Sequence, residues 1–371
     1  MRGKMRHSVI LIPSLNPDGR LEPYVWELQK RGFEHIIVVN DGSGKEYDPV
    51  FHRLEDMGCI VLRHAVNYGK GRALKNGFNE FLNRFQEDEE ICGVITADSD
   101  GQHLVKDVVR MDELLYEKRS KKELLLGVRD FKRQNVPPKS KFGNELTCFF
   151  FRLLYGRKIS DTQTGLRGIS TGCLKGFLAL KGERFEYETS MLIAAVRQQI
   201  PFRELKIETV YLENNGGTHF RPLQDSCIIY SILFGEFLKY IASSLSASVI
   251  DILLFSLLSA WIPGTAGIWI ATALARAVSS FYNYSMNRKV VFGSGEDMKH
   301  SLWRYYLLCV VQGACSAGLV SALVAAFGLP KTGCKIVVDT VLFFISYQIQ
   351  RRFVFVDAVS ERKGGRELES S

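Results

Sequence analysis

Through the first 225 residues, short apolar runs alternate with amphipathic stretches. Ser8–Ile12, Ile36–Val39, Cys59–Arg63, Ile91–Thr96 and Leu124–Gly127 read as buried strands, and Glu22–Arg31, Tyr47–Met57, Arg72–Phe85 and Val105–Lys118 carry helical spacing between them. Strands separated by helices predict an α/β domain built on a mostly parallel sheet with helices on both faces. Ligands of such sheets bind beyond the carboxyl ends of the strands. Pro13-Ser14, Asn40-Asp41-Gly42-Ser43 and Asp98–Gln102 all follow strand ends, so they should converge on one crevice. Ordinary turns also collect Asn, Asp, Gly and Pro; it is the coincidence of three such loops at one edge that points to a site.

The pattern changes after residue 225. Four apolar stretches, 237–261, 266–286, 305–328 and 332–350, each approach the roughly 20 residues needed to cross a bilayer as a helix. Leu223–Glu236 before them is apolar on one side. It reads either as an amphipathic helix in the membrane interface or as a core helix of the preceding domain. The loop 262–265 is uncharged and the one near 329–331 carries only Lys331, whereas 287–304 holds Arg288, Lys289, Lys299 and Arg304, and Arg351 and Arg352 follow the last stretch. Positive charge on the cytoplasmic side then puts both termini inside, as an even number of spans requires. Asp251, Arg276, Lys335 and Asp339 fall within or near the ends of these stretches. They form structural ion pairs, such as Asp251 with Arg276, or line a path for a polar lipid headgroup.

Charge and cysteine usage narrow the class. The formal net charge is +8 over 371 residues, and the basic residues beside the apolar runs suit the cytoplasmic edge of a membrane domain; nothing points to nucleic acid. The eight cysteines are scattered with no C-x-x-C pair, which suits a reducing compartment and excludes a disulfide frame or zinc site. The opening MRGKMRHSVILIPSLNPDG is basic and then briefly apolar, but Pro13 and Asn16 interrupt it too early for a signal peptide. The N-terminal domain is therefore expected in the cytoplasm, and the polar tail 357–371 is expected to be disordered.

TADSDGQH (96–103) places two carboxylates, an amide and an imidazole, Asp98, Asp100, Gln102 and His103, directly after an apolar run. A polar helix start would use such residues as caps. A divalent metal site would use the carboxylates and the amide as oxygen ligands, with substrate phosphates completing the shell. NYGKGRALKNGF (67–78) is glycine-rich and opens a helix. It is neither a P-loop nor G-x-G-x-x-G after a strand. It is either an anion cradle at a helix start or a turn whose glycines merely redirect the chain.

Taken in order, IPSLNP (12–17), VVNDGS (38–43), NYGKGRAL (67–74), TADSDGQH (96–103), GVRDF (127–131), DTQTGLRG (161–168) and ERFEYETSM (183–191) resemble the inverting family 2 glycosyltransferases of the dolichol-phosphate or polyprenyl-phosphate sugar synthase branch. The resemblance spans nearly all of residues 8–222. The second half is similar to GtrA-like four-helix domains, notably in SFYNYSMNRKVVF (280–292) and QRRFVF (350–355). It implies a GT-A type nucleotide-binding domain over 1–222, an interfacial helix or linker over 223–236, and an all-α four-helix transmembrane domain over 237–356. By that similarity Asp98-Ser99-Asp100 is the D-x-D element. Asp100 and Gln102 bind Mg²⁺ or Mn²⁺, Asp98 and Ser99 lie beside the nucleotide, Val39 and Asp41 face the base, Pro13 lines the same pocket and Lys70 serves the nucleotide. Arg129 is a basic residue near the phosphates, with Lys141 as a second, and His219 and Arg221 belong to a basic loop near donor and acceptor. Asp161 is a catalytic candidate that orients the acceptor or a structural loop carboxylate. Leu15, Pro17, Asn40 and His219 depart from the family's usual residues at their positions.

The activity implied is transfer of a single sugar from a UDP- or GDP-sugar to a polyprenyl (undecaprenyl) phosphate, on the cytoplasmic face of the cell membrane, with inversion. A homo-oligomer is compatible with this reading. A glycolipid synthase acting on a hydroxyl would need a base that the sequence does not reveal. A processive polysaccharide synthase should carry Q-x-x-R-W, which Gln348–Arg352 approaches without the Trp. A lipid-linked sugar transport component would leave the D-x-D domain unexplained.

Overall fold

The computed structural model describes residues 6–129, 138–208, 221–262 and 265–355, and the tail expected to be disordered lies outside them. The chain divides into two compact units, one up to Leu233 and one from Phe234. The first unit runs β1 (Ser8–Ser14), α1 (Leu21–Lys30), β2 (Ile36–Asn40), α2 (Asp48–Asp56), β3 (Ile60–Arg63), α3 (Lys70–Phe85), β4 (Gly93–Thr96), α4 (Val105–Glu117), β5 (Leu124–Arg129), α5 (Pro138–Tyr155), β6 (Arg167–Ser170), α6 (Thr171–Leu178), α7 (Glu186–Arg197) and β7 (Phe202–Ile207). The five strands and four helices expected from the hydrophobic pattern are all present, within two residues at each end.

The sheet has seven strands in the order β3-β2-β1-β4-β6-β5-β7. All pairings are parallel except those of β6, which runs antiparallel to both β4 and β5. The expected mostly parallel α/β class is thus what the chain adopts. Strands buried on both faces read as continuous apolar runs, and here alternate residues serve opposite layers. Ile10, Ile12, Val38 and Ile95 join Val25, Leu28, Phe51 and Val108 in one core. On the other face α3 packs against β1 and β2, so closely that a Cβ on Gly77 would meet Leu11 Cδ1 at 2.2 Å.

The second unit is helical: the long α8 (Pro222–Trp261) leads into it, and α9 (Thr265–Met286), α10 (Met298–Phe327) and α11 (Lys331–Ile349) follow. The segment 223–236, expected to be a separate interfacial element, is continuous with the apolar stretch after it. At 1.5 Å per residue, the 40 residues of α8 reach about 60 Å, twice the hydrocarbon thickness of a bilayer. Among the described residues three helices are long and apolar enough to cross a membrane, Leu223–Trp261, Met298–Phe327 and Lys331–Val354. The fourth expected span, α9, is a helix but falls short on composition, with Arg276 near its middle. Arg276 pairs with Asp251 at 3.4 Å, and Ser279 Oγ donates to the same carboxylate at 2.8 Å, so the ion pair expected there forms. α9 and α11 each run on into a π-helical turn, Asn287–Val291 and Gln350–Val354.

Candidate active site

The carboxyl ends of β1, β2 and β4 lie side by side because these strands are adjacent and parallel: Pro13 pairs with Val39, Ser14 with Asn40, and Leu11 with Thr96. Pro13 and Val39 are both buried in their strands. Beyond β4 the ladder continues one residue, Ala97 N–H donating to the Leu11 carbonyl at 3.0 Å. The chain then turns through Asp98, Ser99 and Asp100, all half-buried, to Gly101, whose φ of 69° lies in the region that glycine enters without steric cost. Asp98 Oδ1 lies 2.7 Å from Lys70 Nζ, and its Oδ2 accepts from Nε2 of the buried His103 at 3.1 Å. Asp100 Oδ1 accepts the Gln102 N–H at 3.0 Å.

Lys70 reaches Asp98 because of the glycines around it. A Cβ on Gly69 would come within 2.6 Å of the Glu183 carbonyl, and one on Gly71 within 2.6 Å of Tyr187 Cβ. The start of α3 therefore packs tightly on residues 183–187. This delivers Lys70 Nζ to 3.1 Å from Glu188 Oε1 as well as to Asp98. The antiparallel β6 completes the surroundings. Its first residue, Arg167, pairs with Thr96, so the loop before it lands on the Asp98 turn, where the position of a Cβ on Gly165 is 2.2 Å from Asp98 Oδ2. Arg167 is wholly buried and donates to the carbonyls of Thr164 at 2.9 Å, Glu188 at 2.7 Å and Thr162 at 3.3 Å.

These contacts set the charges. Burial alone would raise the Asp98 pKa, but the Lys70 ammonium and His103 outweigh it and hold the carboxyl well below its usual range. Burial works against the Lys70 ammonium, yet Asp98 and Glu188 hold it above the ordinary lysine value. Burial opposes the charge of Arg167, and the carboxylates of Glu188, Asp161 and Asp98 offset that in part. Asp100 is the exception. Burial, then the negative charge of Asp98, push its pKa up, and no ion pair reaches it among the described residues.

Just past the end of β2, Asp41 is buried and its carboxylate accepts three hydrogen bonds. It accepts from His64 Nδ1 at 2.7 Å, from the Tyr68 N–H at 3.0 Å and from the Gly69 N–H at 2.8 Å. Asn76 holds the other ring nitrogen of His64 at 2.8 Å. The anion bound at the start of α3 is thus the protein's own aspartate.

At the end of β5, Arg129 forms a two-point pair with the wholly buried Asp161, Nε to Oδ2 at 2.7 Å and Nη2 to Oδ1 at 3.0 Å. The Gln163 N–H also donates to Asp161. Asp161 therefore acts on Arg129 and the loop 161–165. Lys141 is exposed on α5, and Arg221 is exposed just before α8, its N–H donating to Asp225 Oδ2 at 2.7 Å. No hydrogen bond or ion pair among the described residues joins either to the Asp98–Asp100 turn. His219 lies outside the described residues. Glu188, Arg167 and His64 are partners that no role was drawn for from the sequence, and His103 was singled out there only as part of the 96–103 cluster, not as a partner of Asp98. Glu188, His103 and Arg167 stand inside motifs quoted for the resemblance.

The residues fit a divalent cation at Asp100. Its carboxylate has no ion-pair partner among the described residues, and Gln102 is two residues on. No group of three or more His, Cys, Asp or Glu side chains is arranged to hold a metal among the described residues. Protein ligands would therefore be few, and substrate phosphates and water would complete the shell, as Mg²⁺ and Mn²⁺ prefer.

Both halves of the chain match known families. Residues 9–178 match glycosyl transferase family 2, and residues 239–355 match the GtrA/DPMS transmembrane domain. An uncharacterized protein of Methanocaldococcus jannaschii is 31% identical over 209 residues, which cover 55% of this chain and 82% of that protein. The UDP-N-acetylglucosamine–dolichyl-phosphate N-acetylglucosaminyltransferase of Methanococcus voltae is 28% identical over 224 residues, 55% of this chain and 86% of that one. Among solved structures, mannosyl-3-phosphoglycerate synthase from Rubrobacter xylanophilus superposes with a TM-score of 0.46 at 13% identity, covering 63% of this chain and 74% of that chain.

Proposed function

The chain belongs to the family 2 glycosyltransferases, with a GtrA/DPMS-type transmembrane domain behind the transferase domain, and from that premise we propose that it moves one sugar from a nucleotide sugar to a polyprenyl phosphate, with inversion, on the cytoplasmic face of the membrane. The observation that carries the reading is the contrast between the two aspartates after β4. Asp98 is paired with Lys70 and fixed by His103, whereas Asp100 has no ion-pair partner among the described residues, and burial and Asp98 disfavour its charge.

Asp100 and Gln102 hold Mg²⁺ or Mn²⁺, which when bound supplies positive charge for the departing nucleotide diphosphate. Pro13, Val39 and Ser99 line the nucleotide pocket. Asp41 acts on it through the Tyr68–Gly69 backbone, which sets where Lys70 stands. Asp98 keeps Lys70 charged and oriented. The acceptor phosphate is already an anion, so its oxygen forms the new bond to the anomeric carbon as the bond to the diphosphate breaks, and no strong base is required. Arg129, pre-set by Asp161, and Lys141, His219 and Arg221 supply positive charge for the phosphates. The 28% identical relative named for a dolichyl-phosphate acceptor supports this acceptor class. α9 spans as the fourth helix, with its Arg276 paired to Asp251, and both termini are cytoplasmic.

Purified protein incubated with a panel of UDP- and GDP-sugars and undecaprenyl phosphate, followed by mass spectrometry of the lipid fraction, tests the reading. A polyprenyl-phosphate monosaccharide is expected with one donor. Product on diacylglycerol alone, or no product on any polyprenyl phosphate, would overturn it.

A further inference from the structure

The two halves of the membrane unit repeat each other. Setting α8 from Glu236 against α10 from Ser301 aligns Lys239-Tyr240 with Arg304-Tyr305. Setting α9 against α11 aligns Tyr284 with Tyr347, Asn287-Arg288-Lys289 with Gln350-Arg351-Arg352, and Val291-Phe292 with Val354-Phe355. Burial follows the same register: Ala275 and Val338, Tyr284 and Tyr347, and Asn287 and Gln350 are all buried. Both copies end in the same uncommon feature, a π-helical turn.

The contacts between the copies are reciprocal. Tyr284 OH lies 2.7 Å from Ser301 Oγ, and its counterpart Tyr347 OH lies 3.5 Å from Glu236, the counterpart of Ser301. Tyr284 and Tyr305 have ring centroids 5.5 Å apart, and their counterparts Tyr347 and Tyr240 are 5.2 Å apart. At the centre, equivalent residues meet each other: Asn287 Nδ2 donates to Gln350 Oε1 at 3.0 Å, and Phe292 stacks on Phe355 at 5.3 Å. Such self-complementary pairing is the geometry of a two-fold interface, realised here inside one chain. The two hairpins run in the same direction, so the axis lies along the helices, as in parallel repeats of membrane proteins.

The pairing consumes the buried residues and leaves one basic side chain of each turn outside it. Arg288 donates to the Glu296 carbonyl at 2.5 Å, and Arg351 lies 3.7 Å from Glu236. Lys289 and Arg352 are both exposed, and each is followed by an exposed apolar residue, Val290 and Phe353. Neither cation has a hydrogen bond or ion pair among the described residues. Beside Lys289, Arg288 Nε is a buried donor without a partner among the described residues. A cation with a neighbouring apolar side chain at the end of a membrane helix suits an anionic lipid, with charge on the headgroup phosphate and apolar contact at the acyl boundary.

We propose that this end of the membrane unit carries two equivalent sites for the phosphate of an anionic lipid headgroup, one per repeat, at Lys289–Val290 and Arg352–Phe353. The proposal stands independently of the sugar transfer. Full-length protein in nanodiscs of phosphatidylcholine with phosphatidylglycerol, released for native mass spectrometry, should retain two phosphatidylglycerols. Lys289→Gln and Arg352→Gln should each retain one, with the affinity of the lost site down about fivefold or more, and the double variant none. Lys289→Arg should restore the second lipid. Thermal unfolding in phosphatidylcholine alone should match wild type for every variant, since neither side chain has a hydrogen-bond or ion-pair partner among the described residues. Excess inorganic phosphate should leave the retained lipid unchanged; its displacement with a phosphate adduct would assign the sites to a soluble anion and overturn the lipid claim. Loss of both lipids in one single variant, or retention of both in the double variant, would also overturn it.

Discussion

Lys70 Nζ lies 2.7 Å from Asp98 Oδ1 and 3.1 Å from Glu188 Oε1, so one ammonium serves two carboxylates from different motifs. Glu188 is buried, and removing the cation strands its charge. Lys70→Met should therefore lose about 2–4 kcal/mol of stability as well as most turnover. In Lys70→Met with Glu188→Gln the buried charge is gone, so stability should largely return while turnover should not. Thermal unfolding and donor kinetics on the single and double variants check this. Recovery of turnover in the double variant would reduce Lys70 to a structural part.

Asp100 should behave in the opposite way. Its pKa is raised above the ordinary aspartate value by burial and by Asp98. Such a carboxyl contributes stability that is fully present only below its unfolded pKa and is lost as pH rises through the folded one. At neutral pH its ionisation opposes folding, so Asp100→Asn should unfold at a higher temperature than wild type in chelator at pH 7. The difference should vanish below about pH 4, where aspartate is mostly protonated when unfolded. The same substitution should lower turnover by roughly 10² or more, and EDTA should reproduce that loss reversibly. An unchanged melting temperature in chelator, or full activity in EDTA, contradicts the assignment.

The sequence made the sheet and the Asp98 turn legible for a physical reason: strands covered on both faces need unbroken apolar runs, and VILI, IIVV and GVIT supply them. β6 was not legible, since RGIS is four residues long and starts with an arginine. That arginine is buried because backbone carbonyls 162, 164 and 188 receive its guanidinium, which no spacing rule reveals. Asp41 shows a similar limit: the resemblance implied a nucleobase contact, and no spacing rule revealed that its oxygens accept from His64 and from two backbone N–H groups. In the second half the four helices followed from length and hydropathy. The break expected after Glu236 did not appear, and nothing helix-breaking stands there: Gly235 alone lowers helix propensity, and its neighbours restore it.

Gly165 should tolerate no side chain. A Cβ there would sit 2.2 Å from Asp98 Oδ2, and Asp98 cannot swing away without breaking its contacts to Lys70 or His103. Gly165→Ala should lower kcat/KM for the nucleotide sugar about tenfold or more, while Gly19→Ala, with nothing within 4 Å of the new atom, should match wild type. Wild-type donor kinetics in Gly165→Ala would show that the Asp98 geometry is not needed.

Arg221 tests acceptor binding. Its guanidinium lies 3.4 Å from Asp225, a carboxylate that Arg184 also approaches at 3.5 Å, and about half of the side chain remains exposed. Because Arg184 continues to face Asp225 and the Arg221 pair is at the surface, Arg221→Ala should cost less than about 1 kcal/mol of stability. The guanidinium keeps donors to spare beyond Asp225, and a forked contact to a phosphate is one that lysine copies poorly. Arg221→Lys should therefore lose activity roughly tenfold and Arg221→Ala roughly a hundredfold. The loss should appear in the apparent affinity for the polyprenyl phosphate and not in that for the nucleotide sugar, and added metal should not relieve it. If Arg221 only anchored the helix to anionic lipid, lysine would serve as well. Wild-type lipid kinetics in Arg221→Lys would decide for the anchor and against the phosphate contact.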